Sequence, residues 1–190
     1  LSLTFDIQDI PAITRVAHAH NAKVIIDNTW ATPLFFKPFE HGVDVSVHAA
    51  TKYIVGHSDA QMGLITTNKE TWLAIRRFIY LFGLHAAPDD VYLAQRGLRT
   101  MSLRLGRHQD SALKIAKWFE EREEVEQVLH PALPSCPGHE IWKRDFTGSS
   151  GLFSVVLKPH YSKESVEKFI DSLQYFGIGF SDRKSTRLNS

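Results

Sequence analysis

The run Lys23-Val24-Ile25-Ile26 is short, mostly β-branched, and stops at a charge, Asp27. A brief apolar run bounded by polar residues marks a strand buried in a parallel sheet. A helix is spelled out just before it, over residues 9–21, where Ile10, Ile13, Val16 and Ala17 recur at helical spacing. Asp9 stands where an N-cap belongs, Pro11 lies in the first turn, and Asn21 can close the C-terminus. Helix and buried strand then alternate. Further strands are predicted at 43–47 and 62–67, and a helix at 69–83 with Trp72, Ile75 and Ile79 on one face. From about Asp89 to Arg122 the pattern is helical for longer than one usual helix, and Gly97 and Gly106 are expected to interrupt it.

Beyond that point the spacing predicts a strand at 125–129, a loop marked by Pro131, Pro134, Pro137 and Gly138, and a strand at 152–157. A helix follows at 162–173, with Ser162 as its N-cap and Ser165 at its third helical position. The order of elements predicts an α/β fold with a parallel sheet in the first part and a smaller α+β unit in the second. The boundary is expected near residue 98. Composition agrees with a globular chain: of 190 residues, 43% are hydrophobic and 23% charged. The net charge of +1 gives no reason to expect a nucleic-acid or membrane partner, and no apolar run approaches the roughly 20 residues of a membrane-spanning helix. The single cysteine, Cys136, excludes an internal disulfide and favours a reducing, cytoplasmic setting.

Two residues carry chemistry by their position. Asp27 closes the first strand, and Lys52 follows the second within Ala49-Ala50-Thr51-Lys52-Tyr53. In open α/β sheets, ligands sit at the carboxyl ends of strands, so an anion and an amine nucleophile could share one crevice. A desolvated lysine loses its charge more easily and can attack a carbonyl. An aspartate beside a heteroaromatic nitrogen keeps that nitrogen protonated. Pyridoxal phosphate needs this pair, and the Thr51 hydroxyl could reach its phosphate. Spacing alone leaves open that Asp27 merely caps a loop and that Lys52 is a solvated lysine.

Longer motifs narrow the choice. Asp44-Val45-Ser46-Val47-His48-Ala49-Ala50-Thr51-Lys52-Tyr53-Ile54-Val55-Gly56-His57-Ser58 resembles the lysine signature of the cysteine/methionine-metabolism family of pyridoxal-phosphate enzymes. Asp27-Asn28-Thr29-Trp30-Ala31-Thr32-Pro33 resembles that family's aspartate motif, and the interval of 25 residues from Asp27 to Lys52 matches as well. Gln95-Arg96-Gly97-Leu98-Arg99-Thr100 resembles its next block. The resemblance runs over residues 1–181 nearly without gaps. The segments His130-Pro131-Ala132-Leu133-Pro134 and 138–154 are most similar to the branch that cleaves cystathionine by β-elimination, rather than to the γ-synthases and γ-lyases.

The resemblance implies a fold-type I pyridoxal-phosphate enzyme. Residues 1–98 would end its large domain, and residues 99–181 would begin its small C-terminal domain. Lys52 would hold the cofactor aldehyde and later carry the Cα proton; Asp27 would face the pyridine nitrogen; Thr51 would bind the phosphate; Ser181 would lie near the substrate carboxylate. Many relatives carry serine at the position of Ala49, and its absence removes one hydrogen bond, worth about 0.5–1.5 kcal/mol. The implied reaction is α,β-elimination on a small amino-acid substrate, with homocysteine, pyruvate and ammonia as products from cystathionine. The implied assembly is a homotetramer, a dimer of dimers.

After Ser181 the resemblance stops: Asp182-Arg183-Lys184 stands where relatives have an aromatic residue followed by glycines. Residues 182–190 are therefore expected to be a non-native tail, and the chain, which opens in mid-pattern at Leu1, to be an inactive fragment. The tail carries three of the basic residues against one acid, so the remainder is slightly acidic. No metal site is expected. His18 and His20 are two apart and do not share a helix face, and His139-Glu140 lacks the second histidine of a zinc helix. His57 reads as a support for the lysine loop rather than a base. Cys136 has no partner motif, and Trp72, Trp118 and Phe119 read as core aromatics.

Overall fold

The computed structural model describes residues 4–175. The first helix, α1 (Ile10–Ala19), starts where the Asp9 carboxylate accepts the Ala12 backbone N–H at 3.1 Å. It ends at His20, and Asn21 then takes a positive φ of 55°, a left-handed closure that asparagine tolerates. The chain turns into β1 (Ile25–Asp27), passes a single helical turn, α2 (Thr32–Phe35), and enters β2 (Val45–Ala49). β1 and β2 are parallel, with Ile25 opposite Val45 and Asp27 opposite Val47. β3 (Gly63–Thr67) lies antiparallel on the other side of β2, with Ala49 opposite Gly63. The three form one sheet in the order β1-β2-β3.

Helices α3 (Lys69–Leu81), α4 (Pro88–Leu98) and α5 (Met101–Glu120) follow. A two-stranded antiparallel sheet of β4 (Val125–Leu129) and β5 (Ser154–Leu157) encloses a turn-rich stretch and α6 (His139–Asp145). The last described helix, α7 (Lys163–Asp171), is capped as its sequence predicts: the Ser162 hydroxyl accepts the Ser165 N–H. Three apolar clusters hold these pieces. One joins Ala50, Ile54 and Val55 to Ala94, Met101 and Leu105; a second joins Ile10, Ala31, Phe36 and Val43; the third joins Ala116, Val128 and Leu133.

Several elements differ from their sequence expectation. The sheet is parallel between β1 and β2, and β3 is its antiparallel member, returning after the lysine loop. β1 is an edge strand, and Ile25 is 62% exposed, because only β2 pairs with it among the described residues. Gly97 lies at the end of α4, as expected, but α5 runs through Gly106 without a break. One glycine costs a helix about 1 kcal/mol, which the burial of neighbouring Leu105 outweighs. Trp72 and Trp118 are not core residues: each is 51% exposed, with the guanidinium of Arg76 or Arg122 over its ring. Phe119 does pack, against the third cluster. No helix among the described residues is long and apolar enough to cross a membrane.

Asp44 fixes how these elements meet. Its buried carboxylate accepts the Val24 N–H at 2.9 Å and the Asn68 side-chain amide at 3.0 Å, and it lies 3.1 Å from Lys23 Nζ and 2.8 Å from His18 Nε2. Burial alone would raise its pKa; the donors, led by Val24 and His18, overcome this and hold it far below the ordinary carboxylate range. The folded state therefore favours the ionised form. Its contribution to stability is complete above about pH 4 and is lost as the pH falls toward the depressed folded value. In the full-length protein, Asp44→Ala should lower unfolding free energy by about 2–4 kcal/mol at neutral pH, and the deficit should shrink below about pH 4. Urea denaturation across this range checks both.

Candidate active site

The loop after β2 is built from backbone hydrogen bonds. Lys52 N–H donates to Ala49 O at 2.9 Å, Val55 N–H to Ala50 O at 2.8 Å, and Gly56 N–H to Lys52 O at 2.8 Å. These bonds wind the chain into a tight turn that carries Lys52 at half-burial. Thr51 ties the turn to the approach to β3. Its N–H donates to Met62 O at 3.1 Å, and its hydroxyl accepts Met62 N–H at 3.0 Å and donates to Met62 O at 3.3 Å. Ala50 and Val55, both at 0% exposure, anchor the turn in the apolar cluster beneath.

α4 and α5 support the loop from below. A β-carbon at Gly97 would lie 2.2 Å from the carbonyl oxygens of both Ile54 and Val55, so only glycine admits this approach of helix to loop. The Arg104 guanidinium donates to Ile54 O at 3.2 Å, to Gly97 O at 2.8 Å, and to the Thr100 hydroxyl at 3.1 Å. It also lies over Gly56, whose φ of 75° belongs to the left-handed region. An ion pair of 2.7 Å joins Arg96 to Asp59 at the far end of the loop. His57 Nδ1 lies 2.8 Å from Val55 O, in keeping with a supporting role.

The parallel register of β1 and β2 sets their carboxyl ends side by side, so Asp27 neighbours the segment leading to Lys52. Asp27 is exposed, and its Oδ1 accepts Thr29 N–H at 2.9 Å. The Thr29 hydroxyl in turn accepts Ala49 N–H at 2.9 Å and joins the two strand ends. Asn28 is buried; its N–H donates to Val47 O and its side-chain amide to Phe36 O. His48 is also buried, and both its ring nitrogens lack a hydrogen-bond partner among the described residues. Burial lowers its pKa, against the opposing pull of the Asp27 charge, and favours the neutral ring.

Three of the four residues singled out from sequence therefore lie at adjoining strand ends: Asp27, Thr51 and Lys52. The fourth, Ser181, lies outside the described residues. An amine, an exposed carboxylate and a hydroxyl form the donor set that a heteroaromatic aldehyde phosphate requires. Thr51 would have to re-aim its proton from the long bond to Met62 O. Sequence reasoning missed Thr29 and Arg104. Thr29 stands inside the aspartate motif, but its bond partner is 20 residues on; Arg104 reaches a carbonyl 50 residues away, and no periodicity signals such a contact. Elsewhere, burial and then the Asp6 charge push the Cys136 thiol up, which leaves it a poor nucleophile. His139 Nδ1 lies 2.9 Å from Pro131 O.

Comparison with known proteins adds to this geometry. The profile of the Cys/Met metabolism PLP-dependent enzymes matches residues 2–182. A Rhizobium johnstonii protein provisionally named a cystathionine β-lyase is 55% identical over 183 residues, which cover 95% of this chain and 46% of that protein. The cystathionine β-lyase of Haemophilus influenzae is 47% identical over 182 residues, covering 95% of this chain and 46% of that enzyme. Among solved structures, a cystathionine γ-synthase from Xanthomonas oryzae pv. oryzae superposes with a TM-score of 0.88 at 32% identity, covering 94% of this chain and 46% of that one. The chain thus spans about half the length of the relatives it matches.

The contact beneath the lysine loop yields a test. In the full-length protein, Gly97→Ala should cost about 1–3 kcal/mol of stability, because a methyl group must displace the Ile54 and Val55 carbonyls. Gly106→Ala, where a β-carbon meets nothing within 4 Å, should be neutral or slightly stabilising. Paired thermal melts of the two variants distinguish these outcomes.

Proposed function

We propose that this chain, which belongs to the family of Cys/Met metabolism PLP-dependent enzymes, is part of a carbon–sulfur lyase that cleaves cystathionine by α,β-elimination. The observation that carries the proposal is its 55% identity to the Rhizobium johnstonii protein, supported by 47% identity to the Haemophilus influenzae β-lyase. The mixed α/β architecture is that of the family's fold-type I enzymes, and pyridoxal phosphate is the family's cofactor. In the proposed arrangement residues 1–98 close the large, cofactor-binding domain and residues 99–181 open the small one.

When bound, pyridoxal phosphate supplies an electron sink for the carbanion left at Cα. The residues of this chain would hold it and move the proton. Lys52 would hold the aldehyde and, once the substrate amine displaces it, take the Cα proton on Nζ. Asp27 would keep the pyridine nitrogen protonated, with Thr29 fixing the carboxylate through its N–H and binding the lysine loop through Ala49. Thr51 would donate to the phosphate, and Ser181 would face the substrate carboxylate. The Cβ–S bond would then break with its electron pair on sulfur, which would leave as homocysteine with the proton that Lys52 carries, and water would convert the three-carbon remainder to pyruvate and ammonia. The enzyme would act in the cytoplasm as a homotetramer. The 190 residues on their own, at 46% of the length of those two relatives, would be inactive.

A second reading rests on the solved relatives of γ type, among them a cystathionine γ-lyase from Lactobacillus plantarum with a TM-score of 0.85 at 34% identity. The keto acid separates the two chemistries. Full-length protein supplied with cystathionine should release pyruvate and homocysteine. Release of 2-oxobutanoate and cysteine would assign γ-elimination instead. Lys52→Ala should lower turnover by at least about a thousandfold, since both the covalent attachment and the proton carrier are lost.

A further inference from the structure

Residues 146–152 cross from α6 to β5, and their contacts fall on the segment that follows Asp27 and on α5, which packs beneath the lysine loop. On one side they bind the segment that follows Asp27. Trp30 Nε1 donates to Leu152 O at 3.0 Å, Thr147 N–H to Phe35 O at 2.9 Å, and the Thr147 hydroxyl to Leu34 O at 3.1 Å. Phe146 stacks on Phe36 with ring centroids 4.6 Å apart. On the other side they bind α5: Ser149 N–H donates to Gln109 Oε1 at 2.7 Å, and Gly151 lies against His108. The His108 ring is 5.8 Å from that of Tyr53, the residue after Lys52.

The fit between these two sides has no slack. A β-carbon at Gly148 would come within 2.5 Å of the Phe35 ring and 2.8 Å of Gln109 Oε1. Ser149 and Ser150 are both fully buried. Arg144, in the last turn of α6, holds the start of the strap through Asp9 at 2.9 Å and Asp145 at 2.7 Å; the other end of α6 is held separately, where His139 Nδ1 lies 2.9 Å from Pro131 O.

We propose that residues 146–152 are a positioning strap that sets the spacing between the Asp27 segment and the Lys52 loop through its contacts to Trp30, Phe35 and α5. The strap's effect on catalysis rests on the pyridoxal-phosphate reading above; its effect on the two loops does not. Three full-length variants test it: Gly148→Ala, which forces the strap outward; Trp30→Phe, a milder change that deletes one hydrogen bond; and His139→Phe, which loosens only the far, N-terminal end of α6. In the cofactor-free protein, amide exchange of residues 29–36 and 49–55 should rise about tenfold in Gly148→Ala, rise less in Trp30→Phe, and stay unchanged in His139→Phe. In the loaded protein, Gly148→Ala should lower kcat about tenfold or more with little change in KM, since small misplacements of reacting groups cost rate rather than binding. If exchange at 49–55 moves in neither Gly148→Ala nor Trp30→Phe while melting temperature falls, the strap is only structural and the proposal is overturned. Wild-type protein that takes up no pyridoxal phosphate would overturn the functional reading alone, and the exchange data would still decide the strap.

Discussion

Asp44 stands at the start of β2 and receives donors from the C-terminal turn of α1, from the residues leading into β1, and from the N-cap of α3. A carboxylate can be buried only if such donors replace its water, and each donor it recruits fixes an element. The Val24 bond sets where β1 begins beside β2, and the register from Ile25 opposite Val45 to Asp27 opposite Val47 follows from it. The other carboxylate oxygen, Oδ1, holds Asn68, which itself caps α3 by accepting Thr71 N–H. The side-by-side placement of the two strand ends that carry Asp27 and the lysine loop thus depends on one ionised group at their opposite end.

The lysine loop shows how a reactive group can be carried on a rigid mount. Its carbonyls are used by Arg104 and by its own backbone, and its apolar residues lie on α4 and α5. Gly97 brings α4 within backbone contact of Ile54 and Val55, where any side chain would intrude. Rigid support of this kind limits the reorganisation a reacting group must undergo.

Much of this was legible in the sequence because the relevant forces are local. Asp9, Ser162 and Asn21 mark helix ends through bonds that span a few residues, and structure and sequence agree there. The apolar pair at 25–26 and the segment 125–129, which begins and ends on Val125 and Leu129, mark strands for the same reason. That Asp27 and the segment carrying Thr51 and Lys52 follow adjoining strands was legible from the strand pattern. What escaped was long-range. The partners of Arg104, the strap at 146–152 and the hub at Asp44 join residues 20 to more than 100 apart, which no spacing rule encodes. Trp72 and Trp118 were misread because hydrophobicity alone does not dictate burial, and each keeps an arginine guanidinium over a half-exposed ring.

The central claim is that Lys52, alone among the lysines, holds the cofactor beside Asp27. Borohydride reduction of the full-length protein saturated with pyridoxal phosphate makes the lysine attachment permanent, and peptide mass spectrometry then locates it. The account predicts a pyridoxyl mass on the peptide containing Thr51-Lys52-Tyr53 at near one per chain. A pyridoxyl group on another lysine, or spread over several surface lysines with Lys52 unmodified, would contradict it.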